Sequence, residues 1–285
     1  MTTATASGTF ELGGTTTVVR LGFGTMQLTG PGVWGDPSDP GAAIGVLRRA
    51  VELGVNFLDT ADSYGPVVAE ALIKAALHPY ADGLVIATKA GLTRSGPGQW
   101  RPVGRPEYLR QQCMMSLRHL GLAEIPLFQL HRIDAQVPLA DQVGELKLLQ
   151  DEGKIVHIGL SEVSVDELRA AQQFATIASV QNLFNLTDRS AHALLDHCTE
   201  VGIAFIPWFP LATGALAASG GPLDQIASEL GATPSQVALA WLLQRSPVVL
   251  PIPGTSSVAH VEENIAAAQL RLSAAQVQVL DDLNT

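Results

Sequence analysis

Eight short apolar runs recur along the 285 residues, at 21–24, 55–58, 84–87, 127–130, 155–160, 179–181, 203–206 and 248–252. Segments with helical periodicity lie between them. Leu109, Cys113, Leu117 and Leu120 share one face of such a segment, and Leu139, Val143, Leu146 and Leu149 share a face of another. Regular alternation of strand and helix calls for a parallel sheet with helices outside it, and eight such units close into a (β/α)8 TIM barrel, the α/β fold expected here. A doubly wound sheet is the alternative. It fits less well, because the first run ends in Gly22-Phe23-Gly24 without the G-x-G-x-x-G spacing that seats a pyrophosphate on a helix N-terminus.

Local signals punctuate the pattern. Ser164 with Glu167, Thr233 with Gln236 and Ser273 with Gln276 have the spacing of capping boxes, and Pro234 takes the first helical position. Gly121 and Gly153 are expected to stop helices. Ahead of the repeat, residues 10–12 and 17–19 flank a Gly13-Gly14 turn and predict an N-terminal β-hairpin, placed to plug one end of the barrel. An extra C-terminal helix is expected over 273–283. Residues 1–7, small and polar, read as a disordered tail, and 8–285 as a single barrel domain with no linker.

With 47% hydrophobic residues the chain has material for a full core. Its net charge of -10, without any Lys/Arg run, argues against nucleic acid or an anionic membrane as partner. The first residues lack the pattern of a signal peptide, and no apolar run approaches the ~18 residues of a membrane span. Cys113 and Cys198 lie far apart inside helical segments and read as packing thiols, which suits a reducing cytoplasm.

Barrel chemistry gathers at the C-terminal ends of the strands. The second run leads into Asp59, with Tyr64 in the following loop; the third ends at Lys89 and the fourth at His131. Singly, each has a plain structural reading, as a turn cap, a packing aromatic, a solvated lysine or a core histidine. Together they suit carbonyl reduction, which needs a proton donor at oxygen while hydride arrives at carbon. An ammonium beside a phenol favours phenolate, so Lys89, fixed by Asp59, is expected to make Tyr64 more acidic. His131 is placed to donate to the carbonyl oxygen or orient it. The rival reading is a divalent-cation site from Asp59, His131 and Glu162. Lys89 would stand beside the ion, and no H-x-H or H-E-x-x-H spacing supports it, so no metal is expected.

The segments RLGFGTM (20–26), GVNFLDTADSYG (54–65), ATKAG (87–91), LFQLHR (127–132), HIGLSE (157–162), SVQNLFN (179–185) and IPGTSSVAHVEENIAAA (252–268) resemble the aldo-keto reductases over nearly the whole chain. The resemblance implies a catalytic tetrad of Asp59, Tyr64, Lys89 and His131. It implies cofactor contacts from Gly24, Thr25 and Met26, and nicotinamide contacts from Ser161, Glu162 and Gln181. Trp208 is the implied stacking aromatic, and the loop 209–214, with Phe209, Pro210, Leu211 and Gly214, would meet the pyrophosphate. The adenosine end would meet Gly254, Thr255, Ser256, Ser257, His260, Glu263 and Asn264. NADPH is the expected cofactor, with NADH as the alternative.

Three positions depart from the family's usual pattern. Glu162 stands where Asn is usual and cannot donate to a carboxamide oxygen. Gly254 and His260 stand where many members carry Lys and Arg for the 2′-phosphate. Within the family, GPGVWGDP (30–37) and the segments around ALAWLLQRSP and IPGTSSVAH are most similar to bacterial members acting on pyridoxal and related aldehydes. A small carbonyl compound is the expected partner, with Trp34, Trp100 and Arg132 as its expected contacts. Segment 90–104, rich in Gly, Pro and Arg, is expected as a mobile loop. A non-catalytic, cofactor-sensing scaffold on the same fold is the competing function.

Overall fold

The computed structural model describes residues 3–211 and 221–284. A hairpin, β1 (Thr9–Leu12) and β2 (Thr16–Val19), comes first, paired from Thr9 with Val19 to Leu12 with Thr16. The barrel strands follow, beginning with β3 (Phe23–Gly24), α1 (Pro40–Glu52), β4 (Phe57–Asp59), α2 (Val68–Leu77) and β5 (Val85–Ala90). A second hairpin, β6 (Leu92–Gly96) and β7 (Gln99–Pro102), leads to α3 (Pro106–Leu120), β8 (Ile125–Leu130), α4 (Leu139–Asp151) and β9 (Ile155–Ser161). Then come α5 (Val165–Ala171), β10 (Ile177–Leu183), α6 (His192–Val201), β11 (Ala204–Trp208), α7 (Pro222–Leu230), α8 (Pro234–Arg245), α9 (Val258–Ala266) and α10 (Ala274–Asp281).

Seven parallel strands form one sheet in the order β11-β10-β9-β8-β5-β4-β3. The eighth run, 248–252, makes an isolated parallel bridge from Val249 to Phe205 rather than a full ladder, yet it bonds to both edges. Phe205 N donates to Val248 O and Leu250 N to Phe205 O, while Gly22 N donates to Pro251 O at 2.9 Å. Those bonds close the (β/α)8 ring.

Alternation along the strands sorts side chains into two environments. Phe57, Val85, Ala87, Leu127, Ala204 and Ile206 point into the barrel, whereas Leu58, Ile86, Phe128 and Phe205 pack outward beneath the helices. Leu12 and Val18 of the first hairpin join the inner set, so the hairpin plugs the barrel floor. Its turn is held by Thr15 and Thr16, whose hydroxyls lie 3.3 and 2.9 Å from His157 Nε2.

All three capping boxes form, and Gly121 ends α3 in the left-handed region. Both cysteines are buried and unpaired, and burial pushes each thiol up to about 12. Two expectations are corrected. From Thr3 onward the tail is ordered: Ala4–Ser7 is a 3-10 turn, because small Ala4 can bury itself and donate its N–H to Leu53 O, while Ser7 Oγ accepts from Leu21 N. Segment 90–104 is a β-hairpin rather than an irregular loop. Arg94 ties it down, donating to Gln99 O within the hairpin and to Gly32, Val33 and Ser63 carbonyls outside it.

Candidate active site

Asp59 ends β4, Lys89 lies near the end of β5, and His131 follows β8, so three neighbouring strands deliver their polar residues to one rim of the barrel. The loop after β4 is bent tightly to return Tyr64 over that rim. Thr60 N donates to Ala87 O, Asp62 N to Lys89 O and Tyr64 N to Ala61 O. Gly65, at φ +103°, makes the turn into α2; a Cβ there would lie 2.3 Å from that of Val68.

Lys89 is fully buried, with its three donors directed at three oxygens. Nζ lies 2.6 Å from Asp59 Oδ1, 2.8 Å from Thr60 O and 3.4 Å from Tyr64 Oη. The other Asp59 oxygen accepts from Gln181 Nε2 at 2.9 Å and Gln129 Nε2 at 3.2 Å. Hence the buried carboxylate is satisfied on both oxygens, as a charge in a dry interior requires. The rings of Tyr64 and His131 meet edge-on with centroids 5.9 Å apart, and Trp100 contacts both. Ser63 Oγ lies 3.3 Å from His131 Nδ1, which leaves Nε2 for a ligand.

The charges set the protonation states. Burial pulls Lys89 down, but the Asp59 carboxylate and the Tyr64 oxygen outweigh it and hold the ammonium above its ordinary value. Burial, reinforced by the cations Lys89, Arg132 and Arg94, drives His131 well below the ordinary imidazole range, so the ring is neutral at pH 7. For Tyr64 the expected acidification is corrected. Burial raises the phenol above its ordinary 10.0, and Lys89 opposes that shift without overcoming it. Lys89 therefore limits how far burial weakens the acid.

Above these residues opens a cavity of about 510 Å³. Asp59, Tyr64 and His131 reach it, while Lys89 lies beneath, touching the cavity's chemistry through Tyr64. Gly24, Thr25 and Met26 line one side, Ser161 and Gln181 the floor, and Trp208, Phe209, Pro210, Leu211 and Gly254 the far wall. Trp100 and Arg132 line it as well; Trp34 does not, and meets the site through Arg94, whose guanidinium lies 3.5 Å from the Trp100 ring centre and 5.7 Å from that of Trp34. Gly214 lies outside the described residues.

Glu162 is absent from the wall. Its backbone is left-handed, at φ +54°, which turns the carboxylate away: Oε1 accepts from Leu183 N at 2.7 Å and from Trp208 Nε1 at 2.5 Å. The residue that replaces the usual Asn thus fixes the indole of Trp208. Glu162 Oε1 and both Asp59 oxygens, two members of the rival cation set, thus accept from protein donors. Thr255, Ser256, Ser257 and His260 lie at the start of α9, beyond the cavity. Thr255 Oγ1 accepts from Ser257 N and lies 3.3 Å from His260 Nδ1. Glu263 accepts from Thr233 Oγ1, and Asn264 is buried in the same helix.

Sequence reading missed Gln129, Ser63 and Arg94. Gln129 lies on β8 two residues after inward-facing Leu127, so alternation would have put it on the inner face. Arg94 carried no such signal, because its partners are backbone carbonyls.

The donor set suits a nicotinamide cofactor. Gln181 spends its amide nitrogen on Asp59, leaving its carbonyl oxygen to accept, and Ser161 Oγ already accepts from Arg132, leaving its O–H to donate. That is an acceptor and a donor for a carboxamide, in a cavity also lined by the indole that Glu162 fixes.

The model of the aldo/keto reductase family matches residues 20–285, and the chain belongs to that family, a family of oxidoreductases. It is similar to an uncharacterized oxidoreductase of Schizosaccharomyces pombe, 52% identical over 98% of this chain and 90% of that one. It is also similar to the pyridoxine 4-dehydrogenase of Escherichia coli, 44% identical over 98% of this chain and 99% of that one. Among solved structures, an aldo-keto reductase from Klebsiella pneumoniae in complex with NADPH superposes with a TM-score of 0.83 at 26% identity, covering 96% of this chain and 94% of that one.

Proposed function

We propose that the chain reduces an aldehyde to its alcohol with NADPH, and that pyridoxal, giving pyridoxine, is such a substrate. The observation that carries the reading is the buried chain Asp59–Lys89–Tyr64 ending at a cavity beside neutral His131. NADPH, when bound, supplies hydride to the carbonyl carbon. Its nicotinamide end would be held by Ser161 and Gln181, with Gly24, Thr25 and Met26 alongside and Trp208 stacked on the ring. Phe209, Pro210 and Leu211 would follow the pyrophosphate. Thr255, Ser256, Ser257 and His260 would meet the adenosine phosphate at α9, whose first turn has no side-chain cap and keeps N–H groups for an anion.

Tyr64 Oη gives its proton to the carbonyl oxygen, and the Lys89 ammonium stabilises the phenolate left behind. Asp59 keeps that ammonium charged and in place. His131 Nε2 faces the same oxygen and orients it. Pyridoxal is favoured by the relation to the Escherichia coli enzyme over nearly both full lengths. Steady-state NADPH oxidation over a panel of aldehydes tests the reading, with pyridoxal expected among the better substrates. Absence of turnover with every aldehyde would refute the reductase activity; turnover with others but not pyridoxal would refute the substrate.

A further inference from the structure

Arg132 follows His131 directly at the end of β8 and faces the same cavity. One nitrogen, Nη1, donates to His131 O at 2.6 Å and to Ser161 Oγ at 3.0 Å, which fixes the guanidinium beside the tetrad. Among the described residues, Nε and Nη2 have no hydrogen-bond partner and no carboxylate pairs with the group. Glu162, whose charge it senses, has an oxygen committed to Leu183 N and Trp208 Nε1. A guanidinium keeps its charge even where burial lowers its pKa, as it does here. A half-buried cation with an open planar edge is the complement of an anionic oxygen.

We propose that Arg132 receives an anionic oxygen carried on the ring carbon next to the aldehyde-bearing carbon, and so selects aromatic aldehydes with an ortho-oxide. Tyr64, His131 and Arg132 line the same cavity, so a substrate whose carbonyl oxygen meets the first two shares that cavity with the guanidinium. Pyridoxal has this pattern: its 3-hydroxyl, acidified by the ring pyridinium, is ionised at neutral pH. The apolar remainder of the cavity, with Trp100, Leu92 and Pro102, suits the ring itself. The inference rests on the aldehyde-reductase reading above and specifies its substrate class.

The test compares wild type, Arg132→Met and Arg132→Lys on pyridoxal and on its 3-O-methyl ether, which keeps the aldehyde but cannot ionise at that position. Binding of 4-deoxypyridoxine, which has the 3-hydroxyl but no carbonyl, is followed separately by tryptophan fluorescence with NADP⁺ present. Loss of a charge-assisted hydrogen bond predicts a KM for pyridoxal raised about 10- to 100-fold in Arg132→Met, with Arg132→Lys in between. The loss on pyridoxal should exceed the loss on the ether by about 10- to 100-fold, and 4-deoxypyridoxine should bind Arg132→Met more weakly by the same factor. Equal losses on both aldehydes, or undiminished 4-deoxypyridoxine binding, would overturn the proposal. If wild type reduced no aldehyde, the reductase reading would fail, and the 4-deoxypyridoxine arm would still decide the role of Arg132.

Discussion

Lys89 shows how one buried charge organises a site. Its ammonium is out of water, and Asp59 is the countercharge that makes this tolerable. Lys89→Met leaves Asp59 uncompensated and should cost about 3–5 kcal/mol of stability in denaturant titration. Adding Asp59→Asn should return much of that stability without restoring turnover, since the second change removes the orphaned charge but not the need for the first. The phenol supplies a pH prediction. On the proposed mechanism Tyr64 acts as the acid only while protonated, and its pKa is raised, so the reactive form persists as pH rises. The kcat/KM for reduction should hold level through neutral pH and fall only above tyrosine's ordinary 10.0; a descending limb near 8 attributable to Tyr64 would contradict this. The cluster of Asp59, Tyr64, Lys89 and His131 was legible because chemically distinctive residues stood at or just after successive strand ends. The direction of the Tyr64 shift was not, because a sequence shows the neighbouring ammonium but not the depth of burial that outweighs it.

At the scale of elements, caps and alternation were read directly from residue types, and each of the three capping boxes formed. Thr233→Ala removes the cap of α8 together with the hydroxyl bond to Glu263, and should cost about 0.5–2 kcal/mol in thermal or chemical unfolding. The hairpin β6–β7 was not legible. Its segment is full of turn residues, and its order comes from Arg94 reaching carbonyls far away in sequence. Arg94→Ala should therefore loosen Trp100 and raise KM for the aldehyde, while leaving the affinity for NADPH near that of wild type. Glu162 presents the same difficulty in another form. A departure from a family pattern is visible in sequence, but the left-handed backbone that swings its carboxylate onto Trp208 Nε1 is a property of the folded loop.

Over the whole molecule, the eight-fold alternation predicted the barrel, and closure was the subtle part. The eighth run holds the ring with a few hydrogen bonds to Phe205 and Gly22 rather than a ladder, because apolar packing inside and outside does the rest. Leu12 and Val18 fill the end of the barrel opposite the cavity. Leu12→Ala should cost about 2–5 kcal/mol, measured by unfolding, without altering kcat at temperatures where the variant stays folded. The central claim is that this scaffold aims one phenol at a carbonyl, and Tyr64→Phe tests it most directly. Removing the hydroxyl while keeping the ring should cut pyridoxal reduction by at least about 10²-fold, the scale of a lost general acid. NADPH should still quench tryptophan fluorescence with unchanged affinity. A variant that reduced pyridoxal at close to the wild-type rate would contradict the account.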